Sequence, residues 1–221
     1  GKVTVTVTLP ADAVAGDTVN GLDEDIVLTE DDITAGEVIG TVAAPAEGET
    51  LNVSVTITDA AGNESEPGTA SATVDTEAPN NSTTQIVIND ITDDNTINKA
   101  ESDEQVAITG TVTGEFTGGD AITVTVNEKD YAGTVNADGT FSVMVDGSGL
   151  VADADQTVDV TVAATDAAGN VGEATASKDY LVDTTAPSAP TVELGDGDAY
   201  INADEIVDGK VTVTVTLPAD A

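Results

Sequence analysis

Residues 1–13 read GKVTVTVTLPADA, and residues 209–221 read GKVTVTVTLPADA again. Inside the phrase, VTVTVTL at 3–9 alternates valine with threonine. That period of two is the pattern of a strand with one buried and one wet face. Lys2 recurs as Lys210, 208 residues on. An identical run of thirteen does not arise by chance in a chain of 221 residues, so the sequence is read first as a repeat.

Working outward, the long period divides in two. TDAAGN at 58–63 returns at 165–170, a shift of 107, and VDTEAP at 74–79 returns as VDTTAP at 182–187, a shift of 108. INKAE at 97–101 returns as INADE at 201–205, a shift of 104. Units of roughly 100 residues have the size of an immunoglobulin-like sandwich. The local signals agree: LNVSVTIT (51–58), VAITGTV (106–112), AITVTVN (121–127) and TVDVTVAAT (157–165) all alternate. No segment has a convincing helical period, although TEDDITAGEV (29–38) can hold a short turn. The expected fold class is all-β, as tandem immunoglobulin-like sandwiches in an extended rod.

Three pieces follow. Residues 1–79 form a unit that begins at its strand B, 80–187 a complete unit, and 188–221 strands A and B of a third. In the complete unit, strand A is predicted at 84–91, B at 104–113, C at 121–127, F at 156–165 and G at 171–182. NADG at 136–139 reads as the tight turn of a hairpin over 131–146. Ala-Pro at 78–79 and 186–187 marks short, stiff linkers. On this reading the chain is a slice of a longer array.

Composition limits the chemistry. There are 42 Asp and Glu against five lysines (Lys2, Lys99, Lys129, Lys178, Lys210), for a formal net charge of −37. Nucleic acid and anionic membrane surfaces need a basic patch and are not expected partners. No run approaches the ~18 apolar residues of a membrane span, so insertion is not expected. Cysteine and histidine are absent, which removes disulfides, thiolate metal sites and the commonest general base. The only aromatics are Phe116, Tyr131, Phe141, Tyr180 and Tyr200, so the core is expected to be Val, Ile, Leu and Ala. The acid excess is either a solvated surface or a set of ligands for hard divalent cations, which take oxygen donors.

The carboxylates are not scattered evenly. DITDDNTINKAE at 90–101 places Asp90, Asp94, Asn98 and Glu101 at positions 1, 5, 9 and 12 of a twelve-residue loop, with Ile97 at position 8. That is the spacing of a calcium-wrapping loop, with Asn95 at the position that needs a left-handed backbone. The later copy supplies Asp196, Asp198, Asn202 and Glu205, with Leu194 where the first has Asp90. An ordinary Asx-rich turn is the alternative. In TDAAGN, Asp59 with Asn63 and Asp166 with Asn170 read either as cation ligands or as a β-turn with Asn and Gly in left-handed positions. In a seven-strand sandwich the A–B loop and the end of strand G share one pole, and the F–G loop lies at the other. One unit's A–B loop would then meet the linker, with its Asp75 or Asp183, and the next unit's TDAAGN loop.

TDAAGN, VDTTAPSAP and a D-x-x-x-I-N-x-x-E loop together resemble the bacterial Ig-like extender repeats of giant repeats-in-toxin adhesins. These leave Gram-negative bacteria through type I systems. The resemblance covers essentially the whole chain and is clearest over 81–205. It implies tandem domains that bind Ca2+ at their junctions, stiffen into a rod, and hold a ligand-binding tip away from the cell. It also assigns Asp166, Asp183, Asp94 and Glu101 calcium-ligand roles. An extracellular, non-catalytic spacer is the function expected, with neighbouring repeats of the same chain as partners. Glycosidase-type acid pairs sit in clefts with aromatic platforms, whereas here the acids recur once per unit. Two other readings stand beside the spacer: a module that binds sugar or protein, and a fibre subunit that self-associates head to tail by strand complementation.

Overall fold

The computed structural model describes residues 1–219; positions 220 and 221, which close the repeated phrase and the predicted third piece, lie outside the described residues. The chain forms two compact units, one of residues 1–78 together with 168–170, the other of 79–167 together with the chain from 171 onward.

In the first unit the strands are β1 (Lys2–Thr8), β2 (Thr18–Asn20), β3 (Ile26–Val27), β4 (Glu37–Ala43), β5 (Thr50–Thr58) and β6 (Gly68–Thr73). β1 pairs antiparallel with β4 from Lys2↔Ala43 to Thr8↔Glu37. The opposing sheet has the order β3-β2-β5-β6. The alternation in β1 does what it predicts: Val3, Val5 and Val7 are half-buried and the threonines exposed. Between β3 and β4 the expected short turn is a helix, α1 (Glu30–Ala35). Thr29 and Asp32 cap it reciprocally, and Gly36 ends it in the left-handed conformation with φ 74°.

The second unit contains the complete sandwich. Its strands are β7 (Thr84–Ile88), β8 (Thr96–Ile97), β9 (Gln105–Gly114), β10 (Ala121–Val126), β11 (Lys129–Thr134), β12 (Thr140–Asp146), β13 (Thr157–Thr165), β14 (Val171–Asp179) and β15 (Leu181–Val182), with short helices α2 (Lys99–Ser102) and α3 (Gly147–Ala152). One sheet has the order β12-β9-β7 and the other β11-β10-β13-β14, the E-B-A and C′-C-F-G sheets of an immunoglobulin-like sandwich. The first unit repeats this arrangement with β4-β1 as E-B and β3-β2-β5-β6 as C′-C-F-G.

The structure corrects three expectations about the complete sandwich. Residues 131–146 are not a hairpin: β11 pairs with β10, while β12 pairs with β9 in the facing sheet. The NADG turn forms, with Gly139 N–H donating to Asn136 O at 2.9 Å, but buried Val135 anchors the crossing between sheets. Strand G breaks at Tyr180, whose ring is buried, and resumes as β15 in parallel with β8. The core is not purely aliphatic either. Phe141 and Tyr180 join Ile97, Ile108, Val124, Leu150, Val160 and their neighbours in it. Each such side chain removed from water stabilises the fold by about 1.5–3 kcal/mol.

Beyond the sandwich, β16 (Thr191–Leu194), β17 (Ile206–Val207), β18 (Lys210–Val211) and β19 (Val213–Thr216) form two short antiparallel ladders, β16 with β19 and β17 with β18.

Candidate functional site

The loop at 90–101 is built from side-chain caps. Asp94 Oδ1 accepts the Thr96 N–H at 3.0 Å and the Thr92 hydroxyl at 3.1 Å. Asn95 takes φ 57°, its Oδ1 accepts from Ile91 N–H, and its amide donates to Asp179 O at 2.9 Å. Asn98 Oδ1 accepts the N–H groups of Ala100 and Glu101, and Glu101 Oε2 accepts the Asn98 N–H at 2.9 Å. That reciprocal pair starts α2. Ile97, at position 8, is fully buried. Asp90 lies against Lys178, its Oδ1 2.7 Å from Nζ.

The end of strand G is strapped to this loop. Leu181 N–H donates to Asn95 O and Asp183 N–H to Ile97 O, each at 3.0 Å. The A–B loop and the linker aspartate thus share one pole of the sandwich, as topology predicts. Asp183 Oδ1 accepts from Thr185 N–H, and Asp75 Oδ1 accepts from Glu77 N–H, the same turn in both linkers. The later loop repeats the cap pattern: Glu205 accepts from Asp196 N–H and Asn202 N–H, Asn202 Oδ1 accepts from Asp204 N–H, and Asp198 Oδ1 from Tyr200 N–H.

The two TDAAGN loops differ. Asp59 is exposed, and its Oδ1 accepts the Ala61 and Asn63 N–H groups while Oδ2 accepts the Asn63 amide. The Asn63 side chain, ahead of its backbone, holds the Asp59 carboxyl below its ordinary range. Asp166 is 6% exposed, and Asn170, part of the first unit, donates its amide to Asp75 O at 3.1 Å.

Sequence reasoning missed Asp17. It is 5% exposed; Oδ2 accepts from Val14 N–H at 3.0 Å, and Oδ1 is buried with no hydrogen-bond partner. It lines a cavity of about 280 Å³ with Asp12, Asp59, Asn63 and Glu64. The signal was present: Gly-Asp precedes strand C in both units, as Gly16-Asp17 and Gly119-Asp120. In the second copy Asp120 Oδ2 accepts the N–H groups of Thr117 and Thr165. Also missed was Tyr180, whose hydroxyl donates to Leu150 O at 2.8 Å and also bonds Asp153 Oδ2.

A hard cation suits this donor set, which is oxygen throughout, and the orphaned Asp17 Oδ1 is the kind of atom such an ion satisfies. Among the described residues, however, no three or more acidic side chains converge into a metal-holding cluster. Among the same residues no helix is long and apolar enough to cross a membrane.

Fold and topology define the class: tandem immunoglobulin-like sandwiches with turn-capping acids at their poles. No protein-family model matches the chain, and no curated protein matches it. Solved structures do. A bacterial immunoglobulin-like domain from the M. primoryensis ice-binding adhesin is 41% identical over 44% of this chain and 95% of its own, with a TM-score of 0.42. A structure bearing on host cell surface retention of a 1.5-MDa bacterial ice-binding adhesin superposes with a TM-score of 0.66 at 25% identity, over 97% of this chain and 76% of its own. A Ca2+-stabilized adhesin that helps an Antarctic bacterium reach out and bind ice is 36% identical over 93% of this chain and 50% of its own, with a TM-score of 0.54. The structural neighbours of the chain are thus bacterial immunoglobulin-like domains of adhesins.

Proposed function

We propose that the chain is a calcium-stiffened spacer segment of a large bacterial surface adhesin, outside the cell and without catalysis of its own. Similarity to solved adhesin structures, one of them of an adhesin described as Ca2+-stabilized, carries the reading. The local chemistry supports it. Hydrogen bonds to Asp94 and Asp183 arrive at Oδ1 and those to Glu101 at Oε2, so one oxygen is fixed by the backbone. The second oxygen of each is then oriented at little entropic cost, as a flexible oxygen-rich calcium site requires. Asp166, and Asp17 with its orphaned Oδ1, extend the same donor set. Bound calcium supplies positive charge that lowers the repulsion within a chain of net charge −37 and limits how freely its linkers bend.

An ion that binds the ordered form better than the loose one stabilises by linkage, about 2.7 kcal/mol at one hundred times its Kd. Calorimetric titration of calcium into the chelator-treated chain is expected to give saturable binding. Chelation is expected to lower the melting temperature and shorten the maximum dimension in small-angle scattering. No heat of binding, with both other readouts unmoved, overturns the proposal. Asp183→Ala should remove one site and leave the complete sandwich folded.

A further inference from the structure

The hydroxyl of Tyr180 stands between two acceptors. Its oxygen lies 2.8 Å from Leu150 O and 3.1 Å from Asp153 Oδ2. All three residues are buried, Leu150 at 0%, Tyr180 at 2% and Asp153 at 8% exposure. A phenol carries one proton, a carbonyl oxygen carries none, and an ionised carboxylate only accepts. With Asp153 ionised, one proton must serve two buried acceptors, and one of them goes short. With Asp153 protonated the count closes. The carboxyl O–H donates to the Tyr180 oxygen, and the Tyr180 O–H donates to Leu150 O. Burial pushes the phenol pKa up, so Tyr180 does not give up its proton in place of Asp153.

The surroundings of that carboxyl are acidic. It lines a cavity of about 280 Å³ with Glu128 from the β10–β11 turn, Asp155 from its own loop and Asp159 from β13, and the rest of the lining is uncharged. Lys129, next to Glu128 in sequence, is committed to Asp146 at 2.6 Å and to the Tyr131 ring. On the strand G side, Asp179 accepts from the Thr157 hydroxyl at 3.0 Å. Asp153 also directly follows α3, so its carboxyl sits at the negative end of that helix. Burial above all, with Asp155 adding to it, raises the Asp153 pKa against the opposing Tyr180 hydroxyl and Thr157 backbone.

Tyr180 is where strand G changes course. β14 ends at Asp179 and β15 begins at Leu181. Around the ring, Tyr180 N–H donates to Gln156 O and Leu181 N–H to Asn95 O, each at 3.0 Å, while the Asn95 amide holds Asp179 O at 2.9 Å. Gln156 takes φ 53°, a left-handed conformation that a residue other than glycine keeps only when its surroundings hold it there. The ring that packs into the core is thus tied to the backbone on both sides of the break.

We propose that Asp153 and Tyr180 form a proton-operated latch on the end of strand G. Closed, it carries one proton on each residue and fixes the break at Tyr180 to both Leu150 and Asp153. When Asp153 ionises, its proton leaves through the cavity to solvent and the carboxylate competes with Leu150 O for the phenolic proton. Two links become one, and the β15–β8 ladder opens more readily. A carboxyl of raised pKa stabilises the folded form below its unfolded value, and that contribution is lost as pH rises through the folded one. The latch is therefore closed in acid and weakens toward neutrality.

The test uses the full chain, stripped of divalent ions and held in calcium-free buffer, so that the outcome does not depend on calcium. Side-chain carboxyl resonances followed by NMR from about pH 4.5 to about pH 8 should give Asp153 a midpoint above the range of the exposed aspartates. Amide protection of Tyr180 and Leu181, taken relative to the unfolded exchange rate at each pH, is then compared between the two ends of that range. The ratio of acid to neutral protection should be several-fold larger in the parent than in Asp153→Asn, whose amide donates to the Tyr180 oxygen at every pH. Each unit by which the Asp153 midpoint is raised corresponds to a roughly tenfold larger ratio. Tyr180→Phe keeps the ring and should lose the difference, even with Asp153 still buried. If that variant fails to fold, the carboxyl titration and Asp153→Asn decide between them. An Asp153 midpoint within the exposed range, equal ratios in the parent and Asp153→Asn, or an undiminished ratio in folded Tyr180→Phe overturns the proposal.

Discussion

Two versions of one sandwich lie in this chain, and among the described residues the second holds β7 and the β8–β15 ladder, which the first lacks. The complete sandwich has β7 beside β9, and its core holds nineteen buried residues among those described, with Ile108 and Val112 of strand B at 0% and 1% exposure. In the first unit β1 has β4 alone beside it among the described residues, and the buried core there is Val19, Leu28, Val38 and Val55. Strand B alternates equally well in both. Its valines in β1 remain half-buried because an alternating strand supplies only one wall of a core. The comparison teaches that strand A, short as it is, closes the seam between the two sheets.

The largest expected effect breaks this comparison in the core. Ile108→Ala should destabilise the complete sandwich by about 2–5 kcal/mol. Val5→Ala, in the middle of β1, should cost the first unit under about 1 kcal/mol, since its side chain is already half in water. Urea denaturation with amide exchange assigned to each unit checks both. Equal losses would mean that Val5 is as well buried in solution as Ile108.

A smaller effect compares the caps. Asn98 holds two N–H groups of α2, whereas Thr29 holds one of α1 at 3.3 Å. Asn98→Ala should cost the second unit about 1 kcal/mol, and Thr29→Ala should cost the first roughly half that. Calcium titration of Asn98→Ala then separates a cap from a ligand: a pure cap leaves the number of sites unchanged.

The smallest effect is a slope. Burial pushes the Asp153 carboxyl above its ordinary range, with Asp155 adding to the rise and the Tyr180 hydroxyl opposing it. A carboxyl whose folded pKa is raised contributes stability that is present below its unfolded value and is lost as pH rises through the folded one. From neutrality down to about pH 4 the parent chain should therefore gain more stability than Asp153→Asn. The urea midpoint measured across that window checks the sign. Parallel slopes would show that Asp153 is solvated.

Much of this was legible in the residues. Alternation placed β1, β9, β10 and β13, and the repeated phrases singled out the acid-bearing loops. What escaped was set by partners distant in sequence. The crossing between β11 and β12 looks like a hairpin because NADG is a good turn whichever sheet receives the next strand. The break at Tyr180 depends on Leu150 O and Asp153, some thirty residues earlier, and no local pattern announces it. For the candidate ligands, spacing singled out the loop at 90–101. It did not reveal that one oxygen of Asp94 and one of Glu101 are committed to backbone N–H groups.

The parallel pairing of β15 with β8 has a mechanical consequence. A pull along β15, on the segment that leaves the complete sandwich at Asp183, loads the Leu181–Asn95 and Asp183–Ile97 hydrogen bonds across their length. Such bonds are loaded together in shear rather than one after another as in a zipper. Tension must therefore break the patch as a whole, with Ile97 buried beneath it, before it reaches strand G. The tyrosine that interrupts strand G thereby leaves the sandwich with a short mechanical clamp at its trailing end.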